Sequence, residues 1–270
     1  MIPMSRVSRR ASSVFGLAAL LAVMASAVDA RAESFTTRRS RYETPQRFAL
    51  EFRFSPYVPQ IDKEPGLRIV YDASGKPLGK PYEATFGTMP RLMFGGEFDW
   101  QAIRIPHFGS VGPGLGIGYT NMSTTAVLLR DNSPSGDETS LDIWSTYLAA
   151  VLRIDAPWRE LGIPFVPYAK AGLGLGLWRA GNTGGTSEAK VGTGTVSGKG
   201  YTFGTHVAVG LALALDFLDR SSSINIDQAV GINNTYFYAE YYLSMLNGIG
   251  QSNPLRVGAN TWAMGLAFEF

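Results

Sequence analysis

No cysteine occurs among the 270 residues. That excludes disulfides, thiolate-bound metals and a thiol nucleophile, and with them the cysteine-attached anchor of a lipoprotein. Histidine is almost as scarce: His107 and His206 are the only two, too few and too far apart in the chain to favour a metal site. Charged residues make up 17% of the chain, against about a quarter in ordinary soluble domains. Past the first thirty residues there is no helix-period apolar segment of convincing length. Excess charge of one sign is also missing. The formal charge is +2, and residues 1–32 hold Arg6, Arg9, Arg10 and Arg31 against Asp29, so the remainder carries −1. Nothing here favours nucleic acid as a partner.

The N-terminus reads as an export signal. A positive segment is followed by an uncharged, mostly apolar run from Ala11 to Val28, and Ala30-Arg31-Ala32 offers the small-residue cleavage site. The expected division is a signal peptide over 1–32, exported by the Sec route, a periplasmic segment over 33–45, and one domain over 46–270.

That domain is built of period-two segments separated by polar connections rich in Gly and Pro, the mark of strands with two unlike faces. Eight are expected, at about 46–57, 88–103, 111–128, 140–154, 165–179, 201–217, 234–246 and 260–270. Phe48, Leu50, Phe52 and Phe54 alternate with Ala49, Glu51 and Arg53; Val207, Val209, Leu211 and Leu213 alternate with His206, Ala208, Gly210 and Ala212. The fourth strand has ambiguous parity, because Trp144, Leu148 and Leu152 are as apolar as Ile143, Tyr147 and Val151. Long connections at 58–87, 129–139, 181–200 and 247–258 take turns with shorter ones at about 104–110, 155–164 and 218–233. The 181–200 connection, rich in Gly, Thr and Ser, reads as flexible, and Leu67–Tyr71 as one arm of a projecting hairpin.

The faces opposite the Phe/Leu/Val stripes hold Gly, Ala and a few charges. Small residues crowd into a narrow lumen but make a poor surface against water, and Gly weakens ordinary strands. The pattern therefore favours an all-β, single eight-stranded antiparallel up-and-down transmembrane β-barrel over a soluble one that buries its apolar face inward. Tyr57, Trp100, Tyr119, Trp144, Trp178, Tyr201, Tyr236, Trp262 and Phe270 lie near strand ends, as interfacial girdle aromatics do. The last strand places Trp262, Met264, Leu266, Phe268 and Phe270 on one face.

In size and plan the chain resembles small eight-stranded bacterial outer-membrane barrels of the OmpA, OmpX and OmpW type. The phrases F-R-F-S-P-Y at 52–57, V-P-Y-A-K-A-G-L-G-L-G-L-W at 166–178 and G-I-N-N-T-Y-F-Y-A-E at 231–240 look more like an uncharacterised outer-membrane barrel family of myxobacteria-like Gram-negative bacteria. The resemblance implies an outer-membrane address. It also implies partners: outer-membrane lipid and lipopolysaccharide, and during biogenesis periplasmic chaperones and the barrel-assembly machinery, which reads a terminal strand such as Trp262–Phe270. A monomer is expected. The myxobacterial family carries no assigned activity, so no functional residue transfers from it.

The Gly-rich runs at 112–118 and 172–176 lie inside strands, not in the strand–turn–helix that a dinucleotide fingerprint needs, and read as packing glycines. His206 and Asp216 share a strand face ten residues apart, about 33 Å at strand rise, so a His-Ser-acid hydrolase built on His206 stays open without support from spacing. No catalytic residue, cofactor or metal ligand is assigned, and the chain is not expected to be an enzyme. Inward charges are expected at Glu51, Arg53, Arg91, Glu97, Asp99, Lys170 and Glu240, with Asp216 and Glu269 on the same face. Buried charges need partners, so these form a candidate lumen network, with Glu240 against Lys170 or Arg53 at its centre. Three functional readings follow: a structural or surface-interaction barrel with a filled lumen, a narrow channel for ions or small solutes, and, least supported, a lipid-modifying enzyme.

Overall fold

The computed structural model describes residues 47–72, 74–127, 134–191, 194–217, 232–252 and 254–270. The expected signal segment with Ala30 and Ala32, the 33–45 segment, residues 129–133 of the 129–139 connection and most of the 218–233 connection lie outside the described residues. Eight long strands form the wall: β1 Phe48–Tyr57, β2 Arg91–Trp100, β3 Gly109–Val127, β4 Pro134–Arg153, β5 Phe165–Asn182, β6 Lys199–Ala214, β7 Asn234–Met245 and β8 Ala259–Glu269. Each pairs antiparallel with its neighbours in sequence, and β8 returns to β1, with Ala49 opposite Glu269 and Phe54 opposite Met264. The sheet has no free ends, which is the condition for strands to stand in hydrocarbon. Among the described residues no helix is long and apolar enough to cross a membrane; the crossing is made by strands.

The registers also fix the tilt. Pairing leads from Ala49 through Asp99, Gly114, Ala149, Gly172, His206 and Ser244 to Ala259. Continuing the β8–β1 register returns to β1 at position 59, ten residues above the start. Eight strands with that stagger tilt by about 40°, and the lumen they enclose has room for side chains rather than for a water-filled bore.

Parity then decides which face is which. Leu173 is 70% exposed, Leu115 61%, Leu148 60% and Val209 59%. Phe52, Phe54, Phe94, Phe98, Phe203, Phe237, Trp262, Met264 and Leu266 also stand on the outside, while Glu51, Glu97, Lys170 and Glu240 are buried within. A soluble barrel has this arrangement reversed. The exterior is an apolar belt, and the barrel spans a membrane. The ambiguous β4 follows suit: Ile143, Tyr147, Val151 and Arg153 point in, and Leu148 points out.

Several expectations change in detail. Tyr57 and Tyr236, expected in the aromatic girdle, are only 1% exposed inside the lumen, because both sit on the Glu51 parity. Trp178 is likewise turned inward, half-buried against a core cluster. Trp100, Tyr119, Trp144, Tyr201, Trp262 and Phe270 remain on the outer face. The 181–200 connection, expected to be flexible, holds paired strands where described. Gly181 and Asn182 pair with Thr186 and Gly185, and Glu188–Val191 pairs with Gly194–Ser197 as a hairpin. The 58–87 connection holds a 3-10 turn (Gln60–Lys63), a short ladder of Val70–Tyr71 on Pro77–Gly79, and helix α1 (Pro81–Phe86). The 155–164 turn holds helix α2 (Ala156–Leu161).

The apolar belt makes a quantitative prediction. Leu173 sits midway along the outward row of β5, so Leu173→Arg places a cation near the bilayer midplane and should destabilise the inserted barrel by about 2–4 kcal/mol. Urea titration of the chain refolded in lipid vesicles measures this. A change within about 0.5 kcal/mol, as for an ordinary surface substitution, would mean that this face does not meet lipid.

Candidate functional site: a closed lumen in three tiers

The strand order places charged side chains from five strands together in the lumen. Lys170 of β5 reaches Glu51 of β1 and Glu97 of β2, each at 2.7 Å, and Glu240 of β7 at 3.3 Å. Arg53 spans the same level, bonded to Glu240 and to the Tyr147 hydroxyl, with Glu97 at 3.5 Å. Arg153 of β4 ties Glu51 to Asp99, the latter at 2.5 Å. Four carboxylates thus meet three cations. The extra negative charge is met by phenols, since Tyr147 donates to Glu97 and Tyr168 donates to Glu240 at 3.0 Å. All are buried. Three carboxylate oxygens, from Glu51, Glu97 and Asp99, lie within 4.8 Å of one another. The Lys170 ammonium and Arg153 guanidinium stand against these carboxylates and supply positive charge to them.

Six of the seven network candidates are therefore brought together: Glu51, Arg53, Glu97, Asp99, Lys170 and Glu240. Arg91 is not. It lies half-buried at the end of β2, where Nη2 donates to the Phe86 carbonyl at 3.4 Å; β2 starts there, so its inward side chain meets the α1 connection instead of the central acids. Arg153 was missed, because the parity of β4 was ambiguous. A cation near the close of an apolar strand, on the parity of Tyr147, was the available signal.

Apolar and polar plugs close the lumen on both sides of this level. Toward the long connections, Tyr57, Tyr82, Met122, Leu246 and Val257 form a buried cluster. Tyr57 donates to the Val257 carbonyl, and Tyr82 of α1 reaches Met122 Sδ at 3.2 Å. Asp62 holds α1 in place by accepting from the backbone N–H groups of Tyr82 and Glu83, both at 2.9 Å. Toward the short turns, Trp158 of α2 packs with Val166, Tyr168, Tyr236 and Tyr238. Glu269 there accepts from Gln101 Nε2 and the Tyr236 hydroxyl, both at 2.8 Å. Asp216 is elsewhere, in the 3-10 turn Leu215–Phe217, accepting from the Thr235 N–H.

His206 lies in the lumen, stacked on Tyr147 with centroids 3.8 Å apart and 4° between planes. It bonds to no serine and no acid among the described residues, so the hydrolase arrangement is not assembled. His107, in the exposed turn between β2 and β3, faces Glu160 at 2.8 Å.

A closed antiparallel eight-strand barrel with a lipid-facing exterior and an ion-filled interior has the fold of the small outer-membrane β-barrels. No protein-family model and no curated protein matches the chain. Solved structures similar in fold include OprG of Pseudomonas aeruginosa (TM-score 0.43, 10% identity, 84% of this chain and 97% of that one). Another is Ail, the attachment invasion locus protein of Yersinia pestis, crystallised with the heparin analogue sucrose octasulfate (TM-score 0.40, 13% identity, 83% and 97%). A third is the N-terminal barrel of Pseudomonas aeruginosa OprF (TM-score 0.35, 11% identity, 83% and 99%).

The central tier should be unforgiving of a single missing charge. Lys170→Met leaves Glu51, Glu97 and Glu240 facing one another without their shared cation and should cost about 3–5 kcal/mol. Adding Glu51→Gln and Glu97→Gln to the same chain should recover part of that loss. Unfolding midpoints of the three-substitution and single-substitution chains compare the two directly; equal midpoints would show that the acids do not depend on Lys170.

Proposed function

We propose that the chain is an outer-membrane barrel with a structural or surface-interaction role and a largely filled lumen. The observation that carries this reading is the closure of the lumen at three successive levels by protein groups. With no open bore among the described residues, the parts left to meet other molecules are the connections at the end away from Phe48 and Phe270. The N-terminal end is taken as periplasmic, which places those connections outside the cell.

Their form supports a contact role. β3, β4 and β5 have 19, 20 and 18 residues, against 12 and 11 in β7 and β8. The wall over β3–β5 therefore continues past the level where β7 and β8 end, and carries the polar row Asn121, Asp142 and Arg179. Asp142 there accepts from Asn121, Tyr119 and the Arg179 fork. Rigid strands presenting short tips are a scaffold of the kind on which loops carry recognition. Outer-membrane lipid and lipopolysaccharide surround the belt. The barrel-assembly machinery reads the terminal strand, whose Trp262, Met264 and Leu266 face outward. Kinship with the myxobacterial barrel family rests on the phrases at 52–57, 166–178 and 231–240.

A second reading, a narrow ion channel, is favoured by one feature: the central tier is held by ions rather than by apolar packing. Such a plug can exchange partners, since Arg53 already touches both Glu240 and Glu97.

Liposomes carrying the refolded chain should not swell in small neutral or charged solutes once a heat-mobility gel confirms the barrel. Swelling would overturn the filled-lumen reading and favour the channel. Removing residues 188–197, the hairpin between β5 and β6, should leave the heat-mobility shift intact and abolish surface binding by the intact cell; loss of the shift would make the hairpin part of the fold.

A further inference from the structure

Beside the ion network, on the side of the long connections, lies a cavity of about 20 Å3. It exists because Gly95 and Gly118 put no side chain into the lumen at the level of Arg53, while Ser145 puts in only a hydroxymethyl group. His206, Tyr242, Ser55, Ser244 and Arg53 form much of its wall. The His206 side chain is 2% exposed, and neither Nδ1 nor Nε2 has a protein partner.

That combination is costly as it stands. Its faces are occupied: Tyr147 stacks on it, and Tyr242 lies near-parallel with centroids 5.7 Å apart. Only the ring edge remains for hydrogen bonding. A neutral imidazole offers one donor and one acceptor. Leaving such groups unpaired in a buried site forfeits the hydrogen bonds they make in water. An apolar side chain of the same shape would stack equally well without that penalty. Most of the cavity's lining is apolar, but Arg53, Ser55, Tyr242 and Ser244 bring polar groups to it beside His206, and it holds about one water by volume.

We propose that this cavity is a built hydration site, in which an ordered water is held on the His206 ring edge by the neighbouring hydroxyls of Ser55, Tyr242 and Ser244. Water is the ligand because it alone matches the volume and supplies both donor and acceptor to the ring and the hydroxyls. A small anion would fit by size, but Glu240 and Glu97 stand beside Arg53 and repel it. The site goes beyond the filled-lumen reading. It gives the outer half of the lumen a polar filling between the Tyr57–Val257 plug above and the ions below.

The test is solution NMR on the full refolded chain in micelles, reading water–imidazole cross-relaxation at His206. The expected result is a cross-peak with the sign of a long-lived water. Gly118→Ser should remove it while keeping the barrel. A Cβ there lies 3.0 Å from the Met93 Sδ, the end of a flexible side chain, and the new hydroxyl takes the water's place. His206→Phe retains the ring stack and should lower the heat-unfolding midpoint, because the water and hydroxyls lose their partner. No long-lived cross-peak in the parent chain, or a His206→Phe midpoint above the parent's, would overturn the proposal. Fast-exchanging water together with liposome swelling would instead indict the filled lumen itself.

Discussion

The Lys170 ammonium is the group on which the interior depends. It lies 0% exposed by side chain and touches carboxylates from β1, β2 and β7, strands that are not its neighbours in the sheet. A charge so placed cannot be left alone, because an unpaired buried ion costs several kcal/mol, a large fraction of the net stability of a small domain. Its partners must arrive from across the lumen. They do so only if every register around the barrel is correct, since a one-residue slip of β1, β2 or β7 turns its acid out into lipid. The network therefore acts as a check on closure. Whatever its net contribution to stability, it makes slipped barrels very unfavourable.

The same lumen level explains the glycines. Eight strands at this tilt leave a bore too narrow for large residues on every wall. Tyr147 can lie across it because Gly116 faces its ring, where a Cβ would come within 2.2 Å of the Tyr147 Cζ. Leu246 and Val257 can enter from the last connection because Gly174 and Gly176 of β5 leave space beneath them, at 2.7 and 2.4 Å from a built Cβ. Large side chains on β4 and on the connection from β7 to β8 are thus matched by absent ones on β3 and β5. The sum of volumes, more than any one residue, keeps the lumen filled without strain.

Much of this was legible before any coordinates. Period-two alternation is unambiguous when one face is Phe, Leu or Val and the other is Gly, Ala or charge, as in β1, β5, β6 and β8, and there both the strand and its facing were readable. β4 defeated that reading for a physical reason. Its inner face meets the apolar plug with Leu141 and Ile143 and its outer face meets lipid with Leu148, so both faces are apolar and only Arg153 marks the inside. Arg91 misled in the opposite way. Parity gave its direction correctly, but not how far up the lumen it sits. That height depends on shear, which is a property of all eight registers together. Tyr57 and Tyr236 resembled girdle residues because strand ends are shared by the rim and the plug, and position along a strand does not separate them.

The plugs differ in kind. On the short-turn side, Trp158 and Glu269 are fixed by α2 and by the closing strand, both continuous with the wall. On the other side, the wall residues Tyr57 and Met122 are joined by residues of the connections: Tyr82 comes from α1, which Asp62 holds by two backbone hydrogen bonds, and Val257 accepts from Tyr57. Segments tied by a few hydrogen bonds open at lower free energy than the strands beneath them. The connection-borne part of that plug is therefore the part expected to open first, and the ion tier, tied to five strands, the last.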